Sequence, residues 1–351
     1  MKSLFEIKEV DRKFYQENLS GFLPSKIIDL HTHVWLDEFI HTHNEAERKV
    51  SWPTKIAKDN SVEDLVETYR LMFPDKKVTP LMFSNLSSDD DFTAANAYVQ
   101  QCAEKYNFPA LVFARPEWSG EEFEQNIIAG GFLGCKVYLT LSAAYLPEKE
   151  IRIFDFLPHH QLEVLNRHGW IAMLHIPRDG RLKDPVNLAQ MLEIENKYPN
   201  LKLIIAHVGR AYCPEDIGNA LEILSATKNM KFDITANTNE YVFERLIQAV
   251  GPKRIMFGSD LPILRMRMRR ICENGSYVNI VPEGLYGDVS ADRHMREVTG
   301  SEADILTFFM YEEINSFRLA AKATGLGARD VEDVFYNNAK DMINSVKVYF
   351  K

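Results

Sequence analysis

Cysteine is scarce. Cys102, Cys135, Cys213 and Cys272 are the only four in 351 residues, and no two stand as C-x-x-C. That scatter suits a reducing cytoplasm better than a disulfide scaffold. A surplus of basic charge is also missing: Lys and Arg number 41 against 50 Asp and Glu, a net charge of −9 at pH 7. Phosphate binding needs a basic face, so nucleic acid is a poor partner. No window approaches the ~18 apolar residues of a membrane span. The opening MKSLFEIKEVDRKF lacks the apolar core of about 7–15 residues that a secretory signal carries. No internal repeat, low-complexity tract or clear linker is present. These absences lead us to expect a soluble, cytoplasmic protein that acts on a small molecule and has no nucleic-acid or membrane partner. A homo-oligomer stays open.

What is present is an ordinary globular composition, 46% hydrophobic and 26% charged, so disorder is not the expectation. Short apolar runs recur: KIIDLHTH (26–33), KVTPLMFSN (77–85), PALVFAR (109–115), FLGCKVYLT (132–140), GWIAMLH (169–175), LKLIIAHVG (201–209), KFDITAN (231–237) and KRIMFGSD (253–260). They are near-continuous rather than alternating, as parallel strands covered on both faces are. Helical segments separate them. SVEDLVETYRLMF opens with Ser61 as N-cap, DPVNLAQMLEIENKY has Pro185 just after Asp184, and NTNEYVFERLIQAVG ends at Gly251.

Eight strands alternating with helices predict an α/β fold of βαβ units. A closed (β/α)8 TIM barrel competes with an open doubly wound sheet. The count of eight and the placement of polar residues favour the barrel, which needs roughly 250 residues. We expect one domain over 1–351, with a short helical lead-in over 1–24 and barrel strands over about 26–260. A long polar loop would follow over 265–300, then C-terminal helices over 301–348.

The candidate site follows from position. His31, His33, His175, His207 and Asp260 all stand at C-terminal ends of expected strands. In a barrel those ends share the face that carries the active site. His31 and His33, two apart on a strand, point to the same side and can meet one cation. Asp29 shares their parity, either orienting an imidazole or sitting as a satisfied core residue. Taken singly, His175 and His207 read as hydrogen-bonded core histidines and Asp260 as a helix N-cap. Their joint placement argues otherwise. Arg115, Arg178 and Arg210 follow the third, fifth and sixth strands, and Arg265, Arg267, Arg269 and Arg270 crowd the segment after the eighth. Arginine forks match carboxylates and phosphates, so an anionic substrate, a carboxylate above all, is expected, although any one arginine can simply pair with an acid. Tyr138, Trp35 and Asn85 are candidate pocket residues. A second H-x-H, His41-Thr42-His43, reads as loop surface or lid.

In D-L-H-T-H (29–33), G-C-K-V-Y (134–138), L-H (174–175), A-H-V-G-R (206–210) and F-G-S-D-L-P (257–262) the chain resembles the amidohydrolase superfamily, near the branch of the aminocarboxymuconate-semialdehyde decarboxylase-like enzymes. The resemblance implies that His31, His33, His175 and Asp260 bind a divalent ion, zinc by the donor set, and that the ion lowers the pKa of a water molecule. Asp260 would shuttle that water's proton, and His207 would polarise the carbonyl or act as acid/base. Lys136 implies one of two things: a carbamate bridging two ions, with His175 and His207 on the second, or a free cation facing the substrate of a one-ion enzyme. We favour one ion. The implied activity is hydrolysis of an ester, lactone or amide, with Arg115, Arg178, Arg210 and Tyr138 binding the substrate. Non-oxidative decarboxylation of an unsaturated or aromatic acid is the alternative. A non-catalytic barrel is disfavoured by the intact ligand set.

Overall fold

The structure, a computed structural model, describes residues 4–41 and 56–346. All eight expected strands form: β1 Lys26–His33, β2 Lys77–Phe83, β3 Val112–Phe113, β4 Gly134–Val137, β5 Ile171–Leu174, β6 Lys202–Ile205, β7 Lys231–Asp233 and β8 Ile255–Met256. β3 to β8 make one parallel sheet in sequence order, and β1 pairs with β2 in parallel. Backbone hydrogen bonds join the two pieces into a ring. Met82 N donates to Pro109 O (3.0 Å) and Leu111 N to Met82 O (2.9 Å). At the other seam Leu30 N donates to Phe257 O (3.2 Å), Asp260 N to His31 O (2.8 Å) and His33 N to Leu261 O (3.0 Å). The barrel is therefore closed, and the strand C-termini converge as the sequence pattern requires. Every β1 residue after Lys26 is buried, which is why the run reads as continuous rather than alternating.

The helices begin and end where local chemistry dictates. Ser61 Oγ accepts from Asp64 N (3.1 Å) ahead of the helix Val62–Met72. The Asp184 carboxylate accepts from Val186 N (2.9 Å) and Asn187 N (3.1 Å), with Pro185 in the first turn of Pro185–Lys197. Glu240–Val250 stops at Gly251, whose φ is 71°. The lead-in helix Glu9–Phe14 is anchored by one fully buried charge. Asp11 receives both terminal nitrogens of Arg267 (2.8 and 2.6 Å) and the Thr307 hydroxyl (2.7 Å). Among the described residues no helix is long and apolar enough to cross a membrane.

Two expectations are corrected. The 265–300 segment is not a plain loop. It folds into β9 Arg269–Glu273, β10 Ser276–Pro282 and β11 Met295–Val298, with β9 and β10 antiparallel and β11 parallel to β10. The hairpin turns on Asn274 (φ 51°) and Gly275 (φ 74°), the left-handed pair that suits the strand twist. That Asn-Gly dipeptide is a hairpin signal within a stretch otherwise dominated by polar residues. The cysteines are not all free either. Cys213 and Cys272 form a disulfide with Cα atoms 5.9 Å apart, while Cys102 and Cys135 stay buried thiols. The partners are 59 residues apart; the hairpin brings them together by folding over the segment that follows β6. No local spacing could announce that. Of the second H-x-H, Thr42 and His43 lie outside the described residues.

The disulfide and a reducing cytoplasm make opposite predictions. Thiol titration of denatured, unreduced protein should find two reactive thiols, those of Cys102 and Cys135; four would mean that Cys213 and Cys272 are reduced in the isolated protein. Replacing Asp11 with Ala leaves the Arg267 guanidinium buried and unpaired, so the variant should lose about 3–5 kcal/mol of unfolding free energy in chemical denaturation. A loss under about 1 kcal/mol would show that water reaches the pair.

Candidate metal centre

His31 and His33 lie at the C-terminal end of β1, Lys136 is the last residue but one of β4, and His175, His207 and Asp260 follow β5, β6 and β8. All six are buried, between 1% and 8% exposed, and all six line one cavity of about 520 Å³ at the barrel mouth. Each first-strand imidazole is fixed from behind. His31 Nδ1–H donates to Asp233 Oδ2 (2.9 Å) and His33 Nδ1–H to the Ser84 carbonyl (3.1 Å). His207 Nδ1–H likewise donates to the Thr235 carbonyl (3.1 Å). A ring held this way offers Nε2 as an electron-pair donor, the usual arrangement behind a metal-ligating histidine. His33 Nε2 lies 3.0 Å and His31 Nε2 3.5 Å from Asp260 Oδ1. Electron-pair donors that close call for a proton or a metal cation between them. His31, His207 and Asp260 each offer a ligand atom, all within 4.8 Å of one another. The buried Nδ1 of His175 has no hydrogen-bond partner among the described residues. These residues fit a divalent cation.

The electrostatics agree. Burial, aided by the Lys136 charge, holds His31 well below the ordinary imidazole value; burial and Arg210 do the same to His175. Burial also lowers His207. Neutral imidazoles keep their lone pairs. Burial works to raise Asp260, yet the hydrogen bond with His33 leads the effects that outweigh it and hold the carboxyl well below the usual range. Lys136 Nζ stands 3.3 Å from His31 Nε2, and burial pushes its ammonium down to about 8 against the pull of Asp260 and Asp233.

The backbone carries strain here. His207 (φ 57°), Val208 (51°), Arg210 (59°), Ala236 (52°) and Asp260 (53°) are all left-handed without being glycine. Such residues cost of order 1–3 kcal/mol each and persist only where the surroundings over-determine them. The determinants are visible. His207 N donates to Asp233 Oδ1 (2.6 Å), Asp260 N to His31 O (2.8 Å), and Ala236 N to the Glu313 carboxyl. Gly258 is needed for space: a Cβ there would meet Thr235 Oγ1 at 2.5 Å and His31 Cβ at 2.6 Å.

Asp29 does not orient an imidazole. Its Oδ1 accepts from Ser259 N (2.8 Å) and His31 N (3.3 Å), and its Oδ2 from the Tyr69 hydroxyl (2.8 Å), tying β1 to the turn after β8. Burial raises it to about 7. The residue that orients His31 is Asp233, absent from the expected site. Its only mark in the sequence is that it stands as a lone carboxylate in the apolar run KFDITAN.

Tyr138, Asn85 and Arg210 line the cavity with the ligand cluster. The other expected arginines do not come together there. Arg115 faces Glu117 (3.5 Å) and stacks over Phe92, and Arg178 pairs with Asp184 (3.1 Å). Arg267 is consumed by Asp11 and Arg269 by Glu312 (3.3 Å). Arg265 borders a separate hollow near Phe5. Trp35 instead donates to the Lys58 carbonyl (3.0 Å). Of the group after β8, Arg270 alone joins the cavity wall, beside Tyr212, Tyr277 and Phe309. Nothing in its local sequence distinguishes it from its neighbours.

The family described as "Amidohydrolase" matches residues 28–344. No curated protein sequence matches the chain. Among solved structures, a putative 2-pyrone-4,6-dicarboxylic acid hydrolase from Pseudomonas putida is similar at 16% identity, with a TM-score of 0.53 over 93% of this chain and 100% of that one. A dihydroxybenzoic acid decarboxylase from Polaromonas sp. JS666 with bound manganese is 15% identical, TM-score 0.55, over 92% of this chain and 97% of that one. An amidohydrolase from Burkholderia multivorans with bound zinc is 12% identical, TM-score 0.56, over 91% and 99%.

The pH dependence of stability tests the support beneath the site. Glu313 is fully buried. One oxygen accepts from Ala236 N, and the other has no hydrogen-bond partner among the described residues. Burial, with Asp29, Asp233 and Asp260 nearby, raises its pKa well above the ordinary value. A folded-state pKa above the unfolded one means that the proton's stabilisation is complete at low pH and is lost as pH rises toward the raised value. Glu313→Gln keeps an acceptor for Ala236 and cannot ionise. The thermal midpoint of the wild type should therefore fall progressively below that of the variant as pH rises above the ordinary carboxyl range. A gap that does not change with pH would mean Glu313 titrates normally.

Proposed function

From the premise that the chain belongs to the amidohydrolase family and is an enzyme of that superfamily, we propose that it is a metal-dependent hydrolase that cleaves an ester, lactone or amide bond in a small anionic molecule. The observation that carries this reading is the convergence of His33 Nε2 and His31 Nε2 on Asp260 Oδ1, at 3.0 and 3.5 Å, while both Nδ1–H groups donate elsewhere. His31, His33, His175 and Asp260 would hold one divalent ion, zinc on the character of three nitrogens and one oxygen. When bound, such an ion lowers the pKa of water toward neutrality and polarises a carbonyl.

The residues supply the rest. Asp260 stays ionised, so it can take the proton of the attacking water and return it to the leaving oxygen or nitrogen. His207, fixed through Thr235, presents its free ring nitrogen to the same space as the second acid/base group. Lys136, deep beside His31, serves as a cation near the developing negative charge. Arg210 extends from the wall near His175 toward the substrate's anionic group. Catalysis needs no partner beyond the small-molecule substrate. A second reading, decarboxylation of an aromatic acid, is favoured by the aromatic wall of Phe113, Tyr138, Tyr212, Tyr277 and Phe309. It would use the same residues, with His207 delivering the proton that replaces the carboxylate.

Elemental analysis of protein purified without added metal should find about one zinc per chain. His175→Asn should lose the ion while His207→Asn keeps it; the reverse result would exchange their roles. Two ions, with a carbamate adduct in the intact mass, would make Lys136 a bridging ligand. No metal even after reconstitution would sink the assignment. Asp260→Asn should lower turnover by ~100-fold or more, and release of carbon dioxide by an active substrate would select the decarboxylase.

A further inference from the structure

Arg270 differs from its acid-paired neighbours by what it lacks; among the described residues Arg254, Arg265 and Arg318 share that lack, but none of them lines the cavity of the imidazole cluster. Arg267 has Asp11, Arg269 has Glu312, Arg296 has Glu273 and Arg181 has Asp216. Among the described residues no carboxylate oxygen lies within 4.0 Å of the Arg270 nitrogens. Its Nε donates to Asn279 Oδ1 (2.8 Å) and its Nη1 to the Ala236 carbonyl. Both acceptors are neutral, and Nη2 has no acceptor among the described residues.

Three aromatic rings enclose the guanidinium, with centroids at 4.5 Å (Tyr277), 4.6 Å (Phe309) and 4.7 Å (Tyr212). They favour a cation at their faces and exclude water from it. They cannot neutralise it. Burial lowers its pKa from the ordinary arginine value, opposed by Tyr277 and Tyr212 and more weakly by Glu313, which makes no ion pair with it and accepts from Ala236 N. An arginine held planar, partly desolvated and uncompensated on a cavity wall is matched by a planar anion that can accept two parallel hydrogen bonds. The other acids lining this cavity, Asp260, Glu148 and Asp292, make no ion pair with it.

We infer that Arg270, carried into the cavity by the sheet inserted after β8, is the receptor for a substrate carboxylate remote from the bond that is cleaved. This rests on the proposed site but not on which reaction occurs there. It assigns the substrate class: a small carboxylic acid that also carries the reacting group, spanning from the imidazole cluster to the β9–β10 hairpin. The disulfide from Cys213 to Cys272 holds this wall in place, since Cys272 lies two residues beyond Arg270 and Cys213 follows Tyr212.

The test is binding, with benzene-1,3-dicarboxylate as probe and its neutral diamide as control, measured by calorimetry on the metal-loaded full chain. The diacid should bind and the diamide should not. Arg270→Gln should weaken diacid binding by roughly tenfold or more, the scale of a charge-assisted hydrogen bond, with metal content unchanged. Arg270→Lys, which keeps the charge but loses the planar fork, should weaken binding less than Arg270→Gln without restoring it to the wild-type level. Because Arg270 also holds Ala236, the glutamine variant can fail to fold. Protection of Arg270 in the wild type from phenylglyoxal by the diacid, read by peptide mass, then decides between the outcomes. Unweakened binding by Arg270→Gln, equal binding of the diamide, no binding of the diacid, or unprotected Arg270 would each overturn the inference. Diacid binding that depends on Arg270 in a chain that takes up no metal would overturn the proposed reaction and leave this receptor standing.

Discussion

The hydrogen bond from His31 Nδ1–H to Asp233 Oδ2, 2.9 Å long and shut off from solvent, is the contact on which the barrel mouth depends. It spans from the first strand to the seventh and decides which ring nitrogen of His31 faces the cavity. The same carboxylate accepts from His207 N through its other oxygen, so one buried anion sets the position of two imidazoles on different strands. Its desolvation is expensive, and the two hydrogen bonds together offset it. Without Asp233 the left-handed turn at His207 would lose its restraint as well as its neighbour.

A second layer of support lies beneath. Asp29 ties β1 to the turn that carries Asp260, and Glu313 holds the Ala236 peptide whose neighbour, Thr235, fixes His207. Burial raises both carboxyls, whereas Asp260, among imidazoles, is held low. Carboxyl groups on one barrel end are thus pushed apart by their surroundings. Asp29 and Glu313, which support the site, move toward the protonated form, and Asp260, beside the imidazoles, keeps its charge. Divergence of that kind separates structural acids from working ones.

The β9–β11 sheet lies outside the eight barrel strands. It carries Arg270 and Tyr277 into the cavity, is stapled through Cys272 to the segment after β6, and is backed by the helix Phe309–Ala323, whose first residue packs on Arg270. The barrel provides a metal-ligating floor common in kind to many enzymes. The β9–β11 sheet shapes one wall of the cavity above that floor, and fold alone does not fix what such a wall admits.

The amino-acid sequence by itself determined the eight strands, the caps at Ser61, Asp184 and Gly251, and the residues that end each strand, because periodicity and capping are local properties of a few neighbouring side chains. From these the barrel and its polar mouth follow, since parallel strands in a ring bring their ends together. The hairpin at Asn274-Gly275 was equally local. Only the tertiary structure decided which arginine reaches the cavity, that Asp233 rather than Asp29 orients His31, and that Cys213 meets Cys272. The arginines at 265, 267, 269 and 270 differ little in their local sequence, and what separates them is tertiary: Asp11 claims Arg267, Glu312 claims Arg269, Arg265 borders another hollow, and Arg270 reaches the cavity. Pairings between residues tens to hundreds of positions apart depend on packing geometry, which no short stretch of sequence encodes.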